Sequence, residues 1–89
     1  MIFNTVKIKD VKVRIGQLVK NQRKQHNLSQ KELGKLLNCS RITIQNVESG
    51  KNFTIDTLFK ILQHFELLAP LNDEITRYMN DNENIESLY

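Results

Sequence analysis

The chain has 89 residues, enough for one small domain with a core of marginal size, so self-association would add stability. Its single cysteine, Cys39, excludes an internal disulfide and fits a reducing compartment; no apolar run is long enough to span a bilayer, and no signal-peptide pattern opens the chain, so a cytosolic protein is expected. The formal net charge of +3 is unevenly placed: residues 1–64 carry twelve Lys or Arg against four Asp or Glu, whereas residues 65–89 carry one Arg against six acids. A basic body with an acidic end suggests a polyanionic partner for the body.

Residues 1–10 read as an N-terminal arm in which Thr5, Val6, Lys7 and Ile8 alternate like a short strand. Asp10 is placed to cap a first helix whose apolar stripe is Val11, Ile15, Leu18 and Val19. Lys12, Lys20, Arg23 and Lys24 fall mostly on its other faces, and the helix should fade near His26 and Asn27. The second helix has an explicit start. Ser29 and Glu32 have capping-box spacing, and Leu28 and Leu33 occupy the hydrophobic-staple positions around them. Leu33, Leu36 and Leu37 supply its buried face, and Gly34 implies close approach of another helix. Asn38 suits a left-handed stop and Ser40 a cap for the next helix, so the two helices are forced into a tight corner.

The third helix spans residues 41–48 and ends at Ser49 and Gly50. Ile44 and Val47 share one side of it, while Arg41, Ile42, Gln45 and Asn46 stand on the other. A core accounts for the first pair and leaves an isoleucine unexplained among polar residues. After a loop at residues 51–53, Thr54 caps a fourth helix with the stripe Ile55, Leu58, Phe59, Leu62 and Phe65. Pro70 suits the first turn of a fifth helix, in which Leu68, Leu71, Ile75 and Tyr78 recur at helical spacing, and residues 81–89 form an acidic tail. The fold class expected is therefore all-α, with five helices.

The run L-S-Q-x-E-L, a short turn, S-x-x-x-I and then x-x-E-x-G-K resembles the phage-repressor (Cro/CI, or XRE) class of helix-turn-helix DNA-binding domains, over residues 11–66. The chain, and TLFKILQHFEL at residues 57–67 in particular, is also similar to HipB-type antitoxins, autorepressors that pair with a HipA-type kinase toxin. The resemblance implies that the third helix enters the major groove of double-stranded DNA. Arg41 would then pair with guanine, Ile42 touch a thymine methyl, and Gln45 and Asn46 reach further base edges. It implies phosphate contacts from Gln30, at the start of the second helix, with Lys31, Thr43, Lys51 and Asn52 as companions. It also implies an ion pair between Arg23 and Glu48.

A two-fold DNA reader requires a homodimer, for which residues 67–80 offer the seam Leu67, Leu68, Leu71, Ile75 and Tyr78. In the tail, Ile85, Leu88 and Tyr89 share one helical face and form a hook for a toxin. Cys39 fills space as a small hydrophobe, and His26 suits the C-terminal end of the first helix. No catalytic Ser/His/Asp set, metal-ligand cluster or glycine-rich phosphate loop is evident, so neither enzyme activity nor a cofactor or metal is expected. Two other functions fit the same elements: a phage or mobile-element repressor without a toxin, and an interaction module that no longer reads DNA.

Overall fold

The computed structural model describes residues 5–87, with side chains through residue 81. It contains α1 (Ile8–Gln25), α2 (Gln30–Leu37), α3 (Arg41–Glu48), α4 (Ile55–His64) and α5 (Leu68–Ser87), and no strand among the described residues. The expected strand at Thr5 to Ile8 does not form, because helix α1 already begins at Ile8. Asp10 lies inside that helix rather than capping it from outside. Its carboxylate accepts the Lys7 N–H at 3.1 Å, so it serves the helix end from the first turn.

Local capping chemistry sets the next three helices. Ser29 Oγ accepts the Glu32 N–H at 3.0 Å while Glu32 Oε1 accepts the Ser29 N–H at 2.8 Å, closing the capping box. These bonds favour the charged carboxylate and hold Glu32 below its ordinary value. Ser40 Oγ accepts from Thr43 N–H at 3.1 Å and Thr54 Oγ1 from Thr57 N–H at 3.2 Å. The four leading helices all close through a left-handed residue: Asn27 (φ 56°), Asn38 (φ 60°), Gly50 (φ 71°) and Glu66 (φ 60°).

The core gathers Val19, Leu33, Ile44, Val47, Ile61 and Phe65, with Ile15, Leu28, Leu37, Cys39, Phe53 and Leu67 around it. Two expected stripes hold in part: Val19 on α1, Leu62 on α4 and Phe65 at the end of α4 are buried, and Ile15, Leu58 and Phe59 are half-buried. On α1 the buried residues are Gly16, Val19 and Arg23, while Val11 and Leu18 stay exposed. On α4 Ile61 is fully buried and Ile55, at the first turn, is exposed. Leu36 of α2 is also exposed. Gly34 does face a close approach, but of the turn rather than of another helix: a Cβ there would lie 2.6 Å from the Cys39 carbonyl oxygen. Gly16 lets α1 press on the end of α3, where a Cβ would lie 2.5 Å from the Glu48 carbonyl oxygen.

Helix α5 packs on α4 and then runs beyond the body, and the described chain as a whole measures 52 × 26 × 22 Å. It continues through residues 81–87, where the sequence suggests a separate tail. Helix and tail are thus one rod along the described backbone.

Candidate nucleic-acid interface

An eight-residue helix does not hold together alone in water. Helix α3 is held by Ile44 and Val47, both with 0% exposure, at about 1.5–3 kcal/mol for each buried side chain. Its first turn is tied by Ser40, and its last by a buried ion pair. Arg23 Nε donates to Glu48 Oε2 at 2.6 Å and Arg23 Nη2 to Glu48 Oε1 at 3.0 Å, while Nη1 donates to the Leu28 carbonyl at 2.8 Å. The hydrogen bonds to Glu48 hold the guanidinium above its ordinary value, despite its burial. Among the described residues, no buried side-chain polar atom lacks a partner. The Arg23–Glu48 pair expected from the resemblance is thus present, and it locks α1, α3 and the α1–α2 turn together.

With one side of α3 fixed, the other is uncovered. Arg41, Ile42 and Gln45 are exposed, Ile42 by 56%, and Asn46 is half-buried at the edge of the same flank. The structure brings these four residues together on one surface. Thr43 is half-buried, and its hydroxyl lies 2.9 Å from Ser40 Oγ.

The expected phosphate residues are less uniform. Lys31 and Lys51 are exposed. The Gln30 side chain turns inward, with Nε2 donating to Glu48 Oε1 at 3.1 Å. A phosphate there would meet the first-turn backbone N–H groups and the second amide hydrogen of Gln30. Asn52 is held by Lys12, whose Nζ donates to Asn52 Oδ1 at 2.7 Å, so Lys12 joins the loop after α3 rather than standing apart.

Thr43, Asn46, Asn52, Phe53, Thr54 and Thr57 line a shallow groove between α3 and the start of α4. The sequence marks Thr54 only as a cap. Its position beside Asn46 depends on the path of the 51–53 loop, which no local pattern encodes.

The helix-turn-helix family, as a sequence model, matches residues 19–68, more than half the chain, and this span contains the corner, α3 and α4. The chain belongs to this family. It is a DNA-binding regulator of the XRE type. No curated protein matches it as a relative. No helix among the described residues is long and apolar enough to cross a membrane.

The seam and hook candidates lie outside the matched span or at its edge. Leu67 packs against the core, Leu68 and Leu71 are half-buried beside Phe59, and Ile75 and Tyr78 are exposed. Arg77 lies 4.5 Å above the Tyr78 ring and pairs with Glu74. Ile85 sits on α5 with its side chain outside the described residues, as Leu88 and Tyr89 are entirely.

Proposed function

We propose that this helix-turn-helix regulator is a sequence-specific repressor that binds a pseudo-palindromic operator as a homodimer. The observation that carries this reading is the free flank of α3, on which Arg41, Ile42 and Gln45 stand clear of the body with Asn46 half-buried at its edge. Arg41 is the base reader for guanine, Ile42 contacts a thymine methyl, and Gln45 and Asn46 read neighbouring edges. Lys31, Lys51, Thr43, the Gln30 end of α2 and the Lys12–Asn52 pair hold the flanking phosphates and set the register. Thr54, beside Asn46, adds the start of α4 to that set.

The flank is polar and basic with one aliphatic side chain, whereas a protein-docking face favours aromatics, so DNA fits it better than a protein partner does. The two half-sites lie about one DNA turn, ~34 Å, apart, and the exposed end of α5 supplies the dimer contact. We further propose that the chain is the antitoxin of a HipA-like kinase toxin and represses its own operon, a reading supported by the HipB-like run at residues 57–67.

Mobility shifts on the DNA upstream of the chain's own gene test the repressor reading. Binding should be tight, should favour that DNA over unrelated duplex, and should weaken steeply with salt. Equal affinity for both duplexes rejects sequence-specific repression. Co-purification with the neighbouring gene products tests the antitoxin role, and absence of a kinase-like partner leaves a plain repressor.

A further inference from the structure

The surface of α1 carries an apolar row that the body leaves uncovered. Ile8 is 80% exposed, Val11 47% and Leu18 40%, and Ile15 between them is half-buried, with one side against the core. These four residues have the 3–4–3 spacing of a heptad seam, and so do Leu68, Leu71, Ile75 and Tyr78 of α5. The seam of α5 is free beyond its contact with Phe59, with Ile75 and Tyr78 exposed. The charges of the two helices are opposite. Helix α1 holds one acid and six cations, of which Arg23 is buried against Glu48, and α5 holds five acids and one cation, Arg77, which pairs with Glu74 and Asp81.

We propose that α5 of one copy lies antiparallel on α1 of a second copy, and reciprocally, so that each chain's acidic rod covers the other's basic helix. This inference rests on the homodimer reading above and names what its seam meets. In an antiparallel crossing, the residues just before each seam position on the same side of the two helices face each other. One register then satisfies every layer. Ile8 meets Tyr78, Val11 meets Ile75, Ile15 meets Leu71 and Leu18 meets Leu68. The same register sets Lys7 against Asp81 and Arg14 against Glu74.

Pairing α5 with a second α5 in the antiparallel sense instead sets the Glu74 and Asp81 flanks against one another, and like charges repel. Folding back onto the same chain's α1 is opposed by the α4–α5 turn. There Leu67 N–H donates to the Leu62 carbonyl at 2.7 Å and Glu66 N–H to the Gln63 carbonyl at 3.1 Å, which aims α5 off the body.

Disulfide trapping in the full chain, with Cys39→Ala to remove the native thiol, tests the arrangement. Val11→Cys and Ile75→Cys proteins, mixed and oxidised, should give a crossed covalent dimer separable by mass. Self-linked Ile75→Cys dimers without crossed product overturn the proposal and leave the homodimer standing. A Val11→Cys/Ile75→Cys chain that closes a disulfide within a monomer also overturns it. A chain monomeric at every concentration rejects the homodimer together with the proposal.

Charge reversal supplies a second readout. Arg14→Glu should weaken the dimer on the order of tenfold, and adding Glu74→Lys to the same chain should restore it. A doubly reversed chain no tighter than Arg14→Glu alone overturns the register.

Discussion

Arg23→Ala removes the guanidinium that joins α1 to the end of α3. The change deletes three hydrogen bonds, at 2.6, 3.0 and 2.8 Å, and strands a Glu48 side chain that is only 4% exposed. One partner for that carboxylate survives, the Gln30 amide at 3.1 Å. Breaking a buried pair from one side costs about 3–5 kcal/mol, because the remaining charge is left desolvated. The Gln30 bond and the slight exposure of the pair put the expected loss near the lower end, about 3 kcal/mol.

A domain of this size has a total stability of roughly 5 kcal/mol, so the variant should fold with little margin. Urea unfolding followed by far-UV circular dichroism gives the loss directly, and a cycle with Glu48→Ala gives the coupling. Glu48→Ala alone should cost less than Arg23→Ala, since the arginine head keeps the Leu28 carbonyl as a partner. The coupling should exceed about 1.5 kcal/mol. A loss in Arg23→Ala below about 1 kcal/mol, or additive single effects, would refute the view that this pair fixes the reading helix.

Three further changes probe the frame around α3. Gly16→Ala gains about 1 kcal/mol of helix propensity but drives a Cβ to 2.5 Å from the Glu48 carbonyl oxygen; the backbone clash should win, giving a net loss of about 1–2 kcal/mol by thermal unfolding. Glu66→Gly replaces a non-glycine residue held at φ 60°; relief of left-handed strain exceeds the added freedom of the unfolded chain, so the melting point should rise by a few degrees, corresponding to about 0.5 kcal/mol. Glu32 is held below its ordinary value of 4.5 by the Ser29 capping box, so its contribution is complete above that value and is lost as the pH falls through and below it. The stability gap between the parent chain and Glu32→Ala should therefore be constant near neutral pH and close in acid, and a gap that widens in acid would reverse the assignment.

The parts of this fold that were legible are those written in adjacent residues. Ser29 with Glu32, Asn38, Ser40, Ser49 and Gly50 mark the ends of α2 and α3, because capping bonds join neighbours in sequence. Ile44 and Val47 identify the buried side of α3 for a similar reason: a two-turn helix offers few rotations. Long helices offer many.

On α1 the stripe Val11, Ile15, Leu18 and Val19 is apolar enough to be taken for the core face, yet only Val19 of it is fully buried, and Gly16 and Arg23 complete the buried side. A glycine and an arginine carry no hydropathy signal, and their burial is decided by Glu48, 25 residues away from Arg23. In the stripe expected for α4, Leu62 and Phe65 are buried, but Ile55 sits at the exposed first turn and Ile61 is fully buried beside them; periodicity alone does not fix where a stripe's edges fall. Gln30 shows the same limit at the interface. Its place at the start of α2 is readable, but the inward turn of its amide follows from Glu48.

The measurement that bears most directly on the central claim compares Arg41→Ala with the parent chain on operator DNA and on unrelated duplex, at one fixed salt concentration. Arg41 is exposed at the first position of α3 and is assigned a base edge rather than a phosphate. Operator affinity should fall by about 1–3 kcal/mol while unrelated DNA loses far less, and the loss should vanish on an operator altered at the guanine that Arg41 reads. Equal losses on both duplexes would reduce Arg41 to a phosphate contact, and no loss on either would contradict the assignment of this flank to DNA.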